Sequence, residues 1–445
     1  MKRDIEANLL AWKEQKGRMP LLLRGARQVG KSYVVEDWGK AHFQQVVTLN
    51  FEQHPEYKPC FSTFEPKKII SNIELVTGVT IEEGKTLLFL DEIQECKEAI
   101  TALRYFKEQM PELHIIGAGS LLEFVLQSED FKMPVGRVEF LSLRPLSFGE
   151  YLDAAGHSNL RNWMRTIKSG DQIEEVVHQK LLSLVKEYMV LGGMPAVIQE
   201  FIYSKKRLRC QEIQTAILTT FRSDFGKYAK VAQHEMLQTI FSKAPGLIGQ
   251  WIKYSKIKAD VSSHSLKEAL KKLCQAGLII LVYATSGAGL PFITHMNEKK
   301  FKLLFLDIGL VKRASHLDLE TLFDENLFLV NKGALAEQFV GQELLAYNRK
   351  EEMNELFFWV REQTGSSAEV DYLIAAGPRI FPIEVKAGSI GSLRSLHLFL
   401  KEHQTPFGIR IGEVPFSFVD HVLNLPFYLI EALPRLLQEL LSSGR

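Results

Sequence analysis

The densest chemistry in the chain is an eight-residue stretch, Gly25-Ala26-Arg27-Gln28-Val29-Gly30-Lys31-Ser32, which fits GxxxxGK[ST]. Glycines at this spacing let the backbone wrap a phosphate chain, so that N–H groups and the start of a following helix point at its oxygens. Lys31 is placed to reach the terminal phosphates, Ser32 to ligate Mg²⁺, and Tyr33 opens the helix, so the expected ligand is ATP with Mg²⁺. Cleavage needs acidic residues as well. Thr86-Leu87-Leu88-Phe89-Leu90 is a continuous apolar run, as a parallel strand covered on both faces requires, and it ends in Asp91-Glu92. Asp91 is expected in the Mg²⁺ shell, and Glu92 is expected to orient or deprotonate the attacking water.

Two further strands fit the same sheet, Gln45 to Phe51 and Leu113 to Gly117. Ser120 follows the second of these and reads either as a sensor of the terminal phosphate or as a helix-capping serine. Arg137 reads either as an arginine finger or as one half of a surface pair. A finger would act within the subunit or between subunits of a homo-oligomer.

A second constellation lies near the carboxy terminus. Ala368-Glu369-Val370-Asp371-Tyr372-Leu373-Ile374 and Phe381-Pro382-Ile383-Glu384-Val385-Lys386 flank Gly377-Pro378. With those two as the loop of a hairpin, Asp371 faces Glu384 and Glu369 faces Lys386, while Val370, Tyr372, Phe381 and Ile383 turn to the other side. Carboxylates opposite one another repel and need an offset. A divalent cation held by Asp371 and Glu384, with Glu337 from the helix Gly333 to Tyr347 and Lys386 orienting water, is one answer. A Glu369 to Lys386 bridge beside a solvated carboxylate pair is the other.

The connecting segments are helical from Ile173 to Tyr228, interrupted around Gly192 to Pro195. Helices at Glu235 to Lys243, Pro245 to Tyr254 and Ser263 to Gln275, followed by extended runs Leu278 to Ala284 and Lys302 to Leu306, give the order of a winged helix-turn-helix. From Glu235 to Arg313 there are 12 Lys and Arg against five Asp and Glu, although the whole chain carries a net charge of only +1. Lys253, Lys256, Lys258, Lys267, Lys271 and Lys272 form a basic stripe that could neutralise the phosphates of double-stranded DNA. No arginine or asparagine on the helix Ser263 to Gln275 stands ready to read base edges. Docking of a protein partner and a solvated basic face are the alternatives.

Together these residues carry a resemblance. Gly25 to Ser32, Leu87 to Gln94, Gly119-Ser120 and Arg144-Pro145-Leu146-Ser147-Phe148-Gly149-Glu150-Tyr151 look like the AAA-type ATP-binding proteins of prokaryotes that carry a carboxy-terminal domain of unknown function. Gly192-Gly193-Met194-Pro195, Phe305 to Leu310 and Glu384-Val385-Lys386 resemble the same family. The resemblance implies a sheet in which one strand separates the acidic strand from the phosphate-loop strand. Asp371 and Glu384-x-Lys386, with Glu337 upstream, also resemble the PD-(D/E)XK restriction-endonuclease-like superfamily. Val370 stands where that signature has proline.

The expected fold is therefore α/β and multidomain: a P-loop AAA-type ATPase domain at 1–165 with a parallel sheet, a helical lid or linker at 166–234, a winged helix at 235–313, and a nuclease-like α/β domain at 314–445. A chain of 445 residues with 46% hydrophobic and 24% charged residues is in the ordinary globular range, which excludes disorder and coiled coil. Cys60, Cys96, Cys210 and Cys274 lack any CxxC, so neither a disulfide framework nor a zinc cluster is indicated. No apolar run is long enough to span a bilayer, and a cytoplasmic setting without a membrane partner is expected.

Overall fold

The computed structural model describes residues 1–128, 131, 136–229, 231–252, 263–315, 328–348, 355–361, 368–388 and 392–442. The chain divides into two units. One is built on Met1–Pro145, and the other on Leu146–Cys274, Ile279–Asn348 and Asn354–Arg445.

In the first unit β1 (Leu21–Arg24), β2 (Gln45–Asn50), β3 (Thr86–Asp91), β4 (His114–Ala118) and β5 (Glu139–Ser142) form a parallel sheet in the order β2-β3-β4-β1-β5. The apolar run of β3 is buried at all six positions. Leu88 and Leu90 pack with Ile69, Ile73, Leu103 and Phe106 on one face. On the other, Gly39 of the helix Lys31–His42 comes so close to Leu87 that a Cβ there would lie 2.8 Å from a Leu87 methyl. As the resemblance implies, β4 separates acidic β3 from β1. The register pairs Asn50 with Asp91, Asp91 with Ala118, and Leu23 with both Ala118 and Leu141, so every strand ends on the same edge. The four-residue β5 is the strand that the sequence pattern did not disclose.

The second unit opens with helices. Glu175–Leu191, Pro195–Ser204 and Arg207–Tyr228 occupy the expected helical stretch, and Gly192 breaks it with φ of 73°. Gly193 N donates to Asp307 Oδ2 at 2.6 Å and Leu310 N to Asp307 Oδ1 at 3.1 Å. A Cβ on Gly192 would lie 2.0 Å from the same carboxylate. The Gly-Gly and Phe305 to Leu310 marks thus meet each other, and burial raises the Asp307 carboxyl to about 6. Ser147 and Glu150 form a capping box, and Phe148 N donates to both Glu343 oxygens. These marks fasten helices together.

A mixed sheet completes the unit: β6 (Ile279–Thr285), β7 (Met296–Phe305), β8 (Leu356–Val360), β9 (Glu369–Ala376), β10 (Arg379–Lys386), β11 (Gly408–Gly412), β12 (Ser417–Val419) and β13 (Val422–Pro426). Its order is β12-β13-β11-β10-β9-β8-β6-β7. The β9–β10 hairpin has the expected register, from Arg379↔Ala376 to Ile383↔Tyr372. The winged-helix expectation requires correction. β6 and β7 pair antiparallel as a wing would, but β6 also pairs in parallel with β8. The hairpin is the edge of the carboxy-terminal sheet, so a boundary at 313 divides one hydrogen-bonded layer. Helix Val231–Leu247 also runs through Pro245, where two helices were expected.

Candidate functional site

The loop after β1 has the backbone that its glycines make available. Gly25 has φ of 144°, Gly30 of 92° and Gln28 of 66°. At Gly25 a Cβ would sit 2.2 Å from the Leu143 carbonyl oxygen, because the chain leaving β5 crosses directly over the loop. Gly25→Ala therefore strains backbone and contact together, by about 1–3 kcal/mol for the backbone alone. We expect a lower melting temperature and weakened ATP binding, checked by thermal unfolding with and without Mg-ATP. Ala26 and Val29 are buried, Arg27 lies 3.8 Å from Glu52, and exposed Tyr33 accepts a hydrogen bond from the Met1 amino group at 3.1 Å.

Lys31 is only 6% exposed, and its ammonium donates to Gly25 O at 2.9 Å and Ala26 O at 2.8 Å. Burial lowers its pKa to about 8, against the attraction of Glu92 and Asp91. Ser32 Oγ donates to Asp91 Oδ2 at 2.9 Å, and Asn50 Nδ2 donates to the same oxygen at 3.0 Å. Burial raises the Asp91 pKa. A hydroxyl and a carboxylate facing each other beneath a phosphate loop fit Mg²⁺.

Glu92 adopts the left-handed backbone, with φ of 46°. Gln94 Nε2 donates to its Oε2 at 2.7 Å, as do Ser120 N and Ser120 Oγ at 3.3 Å each. Ser120 is thus on the acidic pair, and the helix Leu122–Leu126 has no side-chain cap. Gly119 makes room for Gln94, whose Oε1 would lie 1.9 Å from a Cβ there.

Arg137 is elsewhere. It precedes the amino end of β5, which runs parallel to β1, and so lies at the sheet edge opposite the loop. Its exposed guanidinium pairs with Glu108 at 3.2 Å. A finger acting within the subunit is ruled out by this topology. Two residues that sequence reasoning missed share the loop's edge. Asn50 ends the neighbouring strand and holds Asp91. Arg144 follows β5; its Nε is buried without a hydrogen-bond partner among the described residues, and burial lowers its pKa to about 10. The signal for Arg144 was the family mark that begins with it.

The carboxy-terminal cluster forms, but with an unforeseen member. Lys302 of β7 has a side chain only 3% exposed, and its ammonium lies 3.0 Å from Glu337, 2.5 Å from Glu369 and 3.2 Å from Asp371. Burial opposes its charge, yet the three carboxylates together raise its pKa well above the usual lysine value. Asp371 Oδ2 also accepts from Val385 N at 2.8 Å, and Lys386 bonds Glu384 Oε1 at 2.5 Å. Burial raises the carboxyls of Glu337 to about 8 and Glu384 to about 7. Lys302 thus sets a positive charge against Asp371, Glu384 takes Lys386, and the anticipated Glu369 to Lys386 bridge is replaced by Glu369 to Lys302. Among the described residues no group of three or more His, Cys, Asp or Glu is arranged to hold a metal ion.

In the basic segment Lys267 pairs with Glu298 at 2.9 Å, Lys271 is exposed and Lys272 half-buried. Lys253, Lys256 and Lys258 lie outside the described residues. Among those residues no single helix is long and apolar enough to cross a membrane.

Residues 17–152 match the family model described as an AAA domain, so this stretch is an AAA-type P-loop ATP-binding domain. Residues 182–321 and 332–428 match two domains of unknown function, DUF8612 and DUF4143. No curated protein matches the chain. Among solved structures, the Walker-type ATPase PABY2304 of Pyrococcus abyssi is similar at 15% identity over 71% of this chain and 95% of its own, with a TM-score of 0.45. The RuvB Holliday junction branch migration motor of Thermotoga maritima is similar at 16% identity over 62% and 86%, with a TM-score of 0.26. C. elegans PCH-2 is similar at 13% over 61% and 68%, with a TM-score of 0.24. Similarity at this level carries neither activity nor assembly across.

Proposed function

We propose that the protein is an Mg²⁺-dependent ATPase whose second unit is a non-cleaving module that reads the nucleotide state. The observation that carries the first part is the contact between Ser32 and Asp91 beside a buried Lys31 whose ammonium, among the described residues, bonds loop carbonyls. On binding, Lys31 exchanges Gly25 O and Ala26 O for the β- and γ-phosphate oxygens, and Glu92, freed from Gln94 and Ser120, orients the attacking water. Mg²⁺, held by Ser32 and Asp91, would neutralise charge on the same phosphates. Ser120 is the sensor in this reading, and Arg144 a further positive group at the loop's edge. Arg137 would act only from a second copy of the chain.

Calorimetry with Mg-ATP, paired with release of inorganic phosphate, tests the proposal. Saturable binding with turnover supports it, and absence of binding removes it.

For the second unit, Lys302 favours a scaffold over a nuclease. An ammonium already lies against Glu337 and Asp371, two of the three carboxylates that the expected cation site would use, and the third, Glu384, bonds Lys386. Positioning on DNA rests on the basic stripe alone, in which Lys267 is already paired with Glu298. Duplex binding at low salt in the presence of ATP would restore the DNA reading. Its absence leaves docking of a protein partner.

A further inference from the structure

Val29 sits inside the phosphate loop between two residues of left-handed backbone, Gln28 with φ of 66° and Gly30 with φ of 92°. Such an alternation curls the chain so that successive N–H groups converge on an anion. The Val29–Gly30 peptide is trans and planar, so the Gly30 N–H points opposite to the Val29 carbonyl. Whatever holds that carbonyl therefore aims the amide. The group that holds it is Arg3, whose Nη1 donates to Val29 O at 3.2 Å and whose Nη2 donates to Arg144 O at 2.7 Å.

Arg3 is 5% exposed, and the helix Ile5–Glu14 fixes its place. Its N–H donates to Glu6 Oε1 at 2.7 Å, its carbonyl accepts from Glu6 N at 3.1 Å, and the helix is anchored by buried Ile5, Leu9 and Trp12. Arg144 O belongs to the chain leaving β5, one residue after the Leu143 carbonyl that lies over Gly25. One guanidinium thus ties the far end of the loop to the segment that crosses its near end. A peptide followed by glycine flips at small steric cost, and a flip here would turn the Val29 carbonyl, in place of an N–H, toward a bound phosphate.

We propose that Arg3 is a positioning residue for nucleotide binding: through the Val29 carbonyl it keeps the Gly30 N–H turned into the loop, and so raises affinity for a phosphate chain that it does not touch. This rests on the ATP-binding reading of the loop and adds to it a determinant outside the GxxxxGK[ST] stretch.

The test is calorimetry on the full chain with Mg-ATP and, separately, with Mg-tripolyphosphate, for the wild type, Arg3→Met and Arg3→Lys. Arg3→Met is expected to weaken both ligands by the same factor, at least about tenfold, since it removes a charged hydrogen bond from the loop. Arg3→Lys, which keeps the charge without the fork, should fall between. In turnover assays KM should rise with Kd while kcat at saturating ATP stays at the wild-type level, as it does when binding is lost uniformly and not from the transition state alone. A merely structural arginine would lower the melting temperature and leave the affinity of the folded protein unchanged. That result overturns the proposal, as does weakened ATP binding with unchanged tripolyphosphate binding. Should Arg3→Met not fold, Arg3→Lys decides by the same comparison. A wild type that binds neither ligand removes the ATP-site reading itself, and the proposal with it.

Discussion

Lys31→Ala is expected to lower ATP turnover by about a hundred- to a thousand-fold, the scale on which removing one preorganised positive donor from a developing charge acts. The loss should not come from unfolding. The Lys31 ammonium is buried against the Gly25 and Ala26 carbonyls, and burial, which lowers its pKa, works against its charge in the fold. The melting temperature should therefore hold or rise while turnover collapses. Glu92→Gln makes the complementary case. Its amide keeps the size of the side chain but cannot accept a proton, so Mg-ATP should still bind with turnover reduced by about 10²–10⁴. Phosphate release and calorimetry on the same preparations separate the two outcomes. Turnover near the wild-type level in either variant contradicts the assignment of roles, and loss of binding in Glu92→Gln would make that residue a ligand-binding group instead.

These roles were legible because local sequence encodes them. A loop that must turn through positive φ at Gly25 and Gly30 leaves a fixed spacing, and a strand buried on both faces leaves an unbroken apolar run before Asp91. The register of β9 and β10 was equally open to reading, since a two-residue turn at Gly377-Pro378 fixes every pair beyond it. What stayed hidden depends on distant pairing. β5 has four residues and is a strand only because β1 offers it an edge. Arg137 lay a few residues from a sheet whose direction there was unknown, and that direction places it away from the loop. Lys302 was counted as one of 12 basic residues in a winged-helix stretch, and nothing in its neighbours, Phe301 and Leu303, announced a carboxylate partner. Only the parallel pairing of β6 with β8 brings β7 into the sheet that holds Asp371.

Lys302→Met should destabilise the protein by about 3–5 kcal/mol, the cost of removing one partner from a buried ionic cluster. The reason is not the lost attraction alone. Glu337, Glu369 and Asp371 would remain together with no cation between them, and their mutual repulsion would be uncompensated. If that is the cause, neutralising the partners should recover most of the loss. A Lys302→Met, Glu337→Gln, Asp371→Asn variant is expected within about 1–2 kcal/mol of the wild type, because replacing a whole buried cluster is far cheaper than breaking it. Denaturant unfolding of the three proteins gives both numbers. The same logic bears on nuclease chemistry: the wild type should show no cleavage of duplex or single-stranded DNA with Mg²⁺ or Mn²⁺, and Asp371→Ala should leave ATP turnover unchanged. Cleavage by the wild type that Asp371→Ala abolishes would mean that a metal competes successfully with Lys302. A Lys302→Met protein as stable as the wild type would mean that the ammonium never balanced those carboxylates.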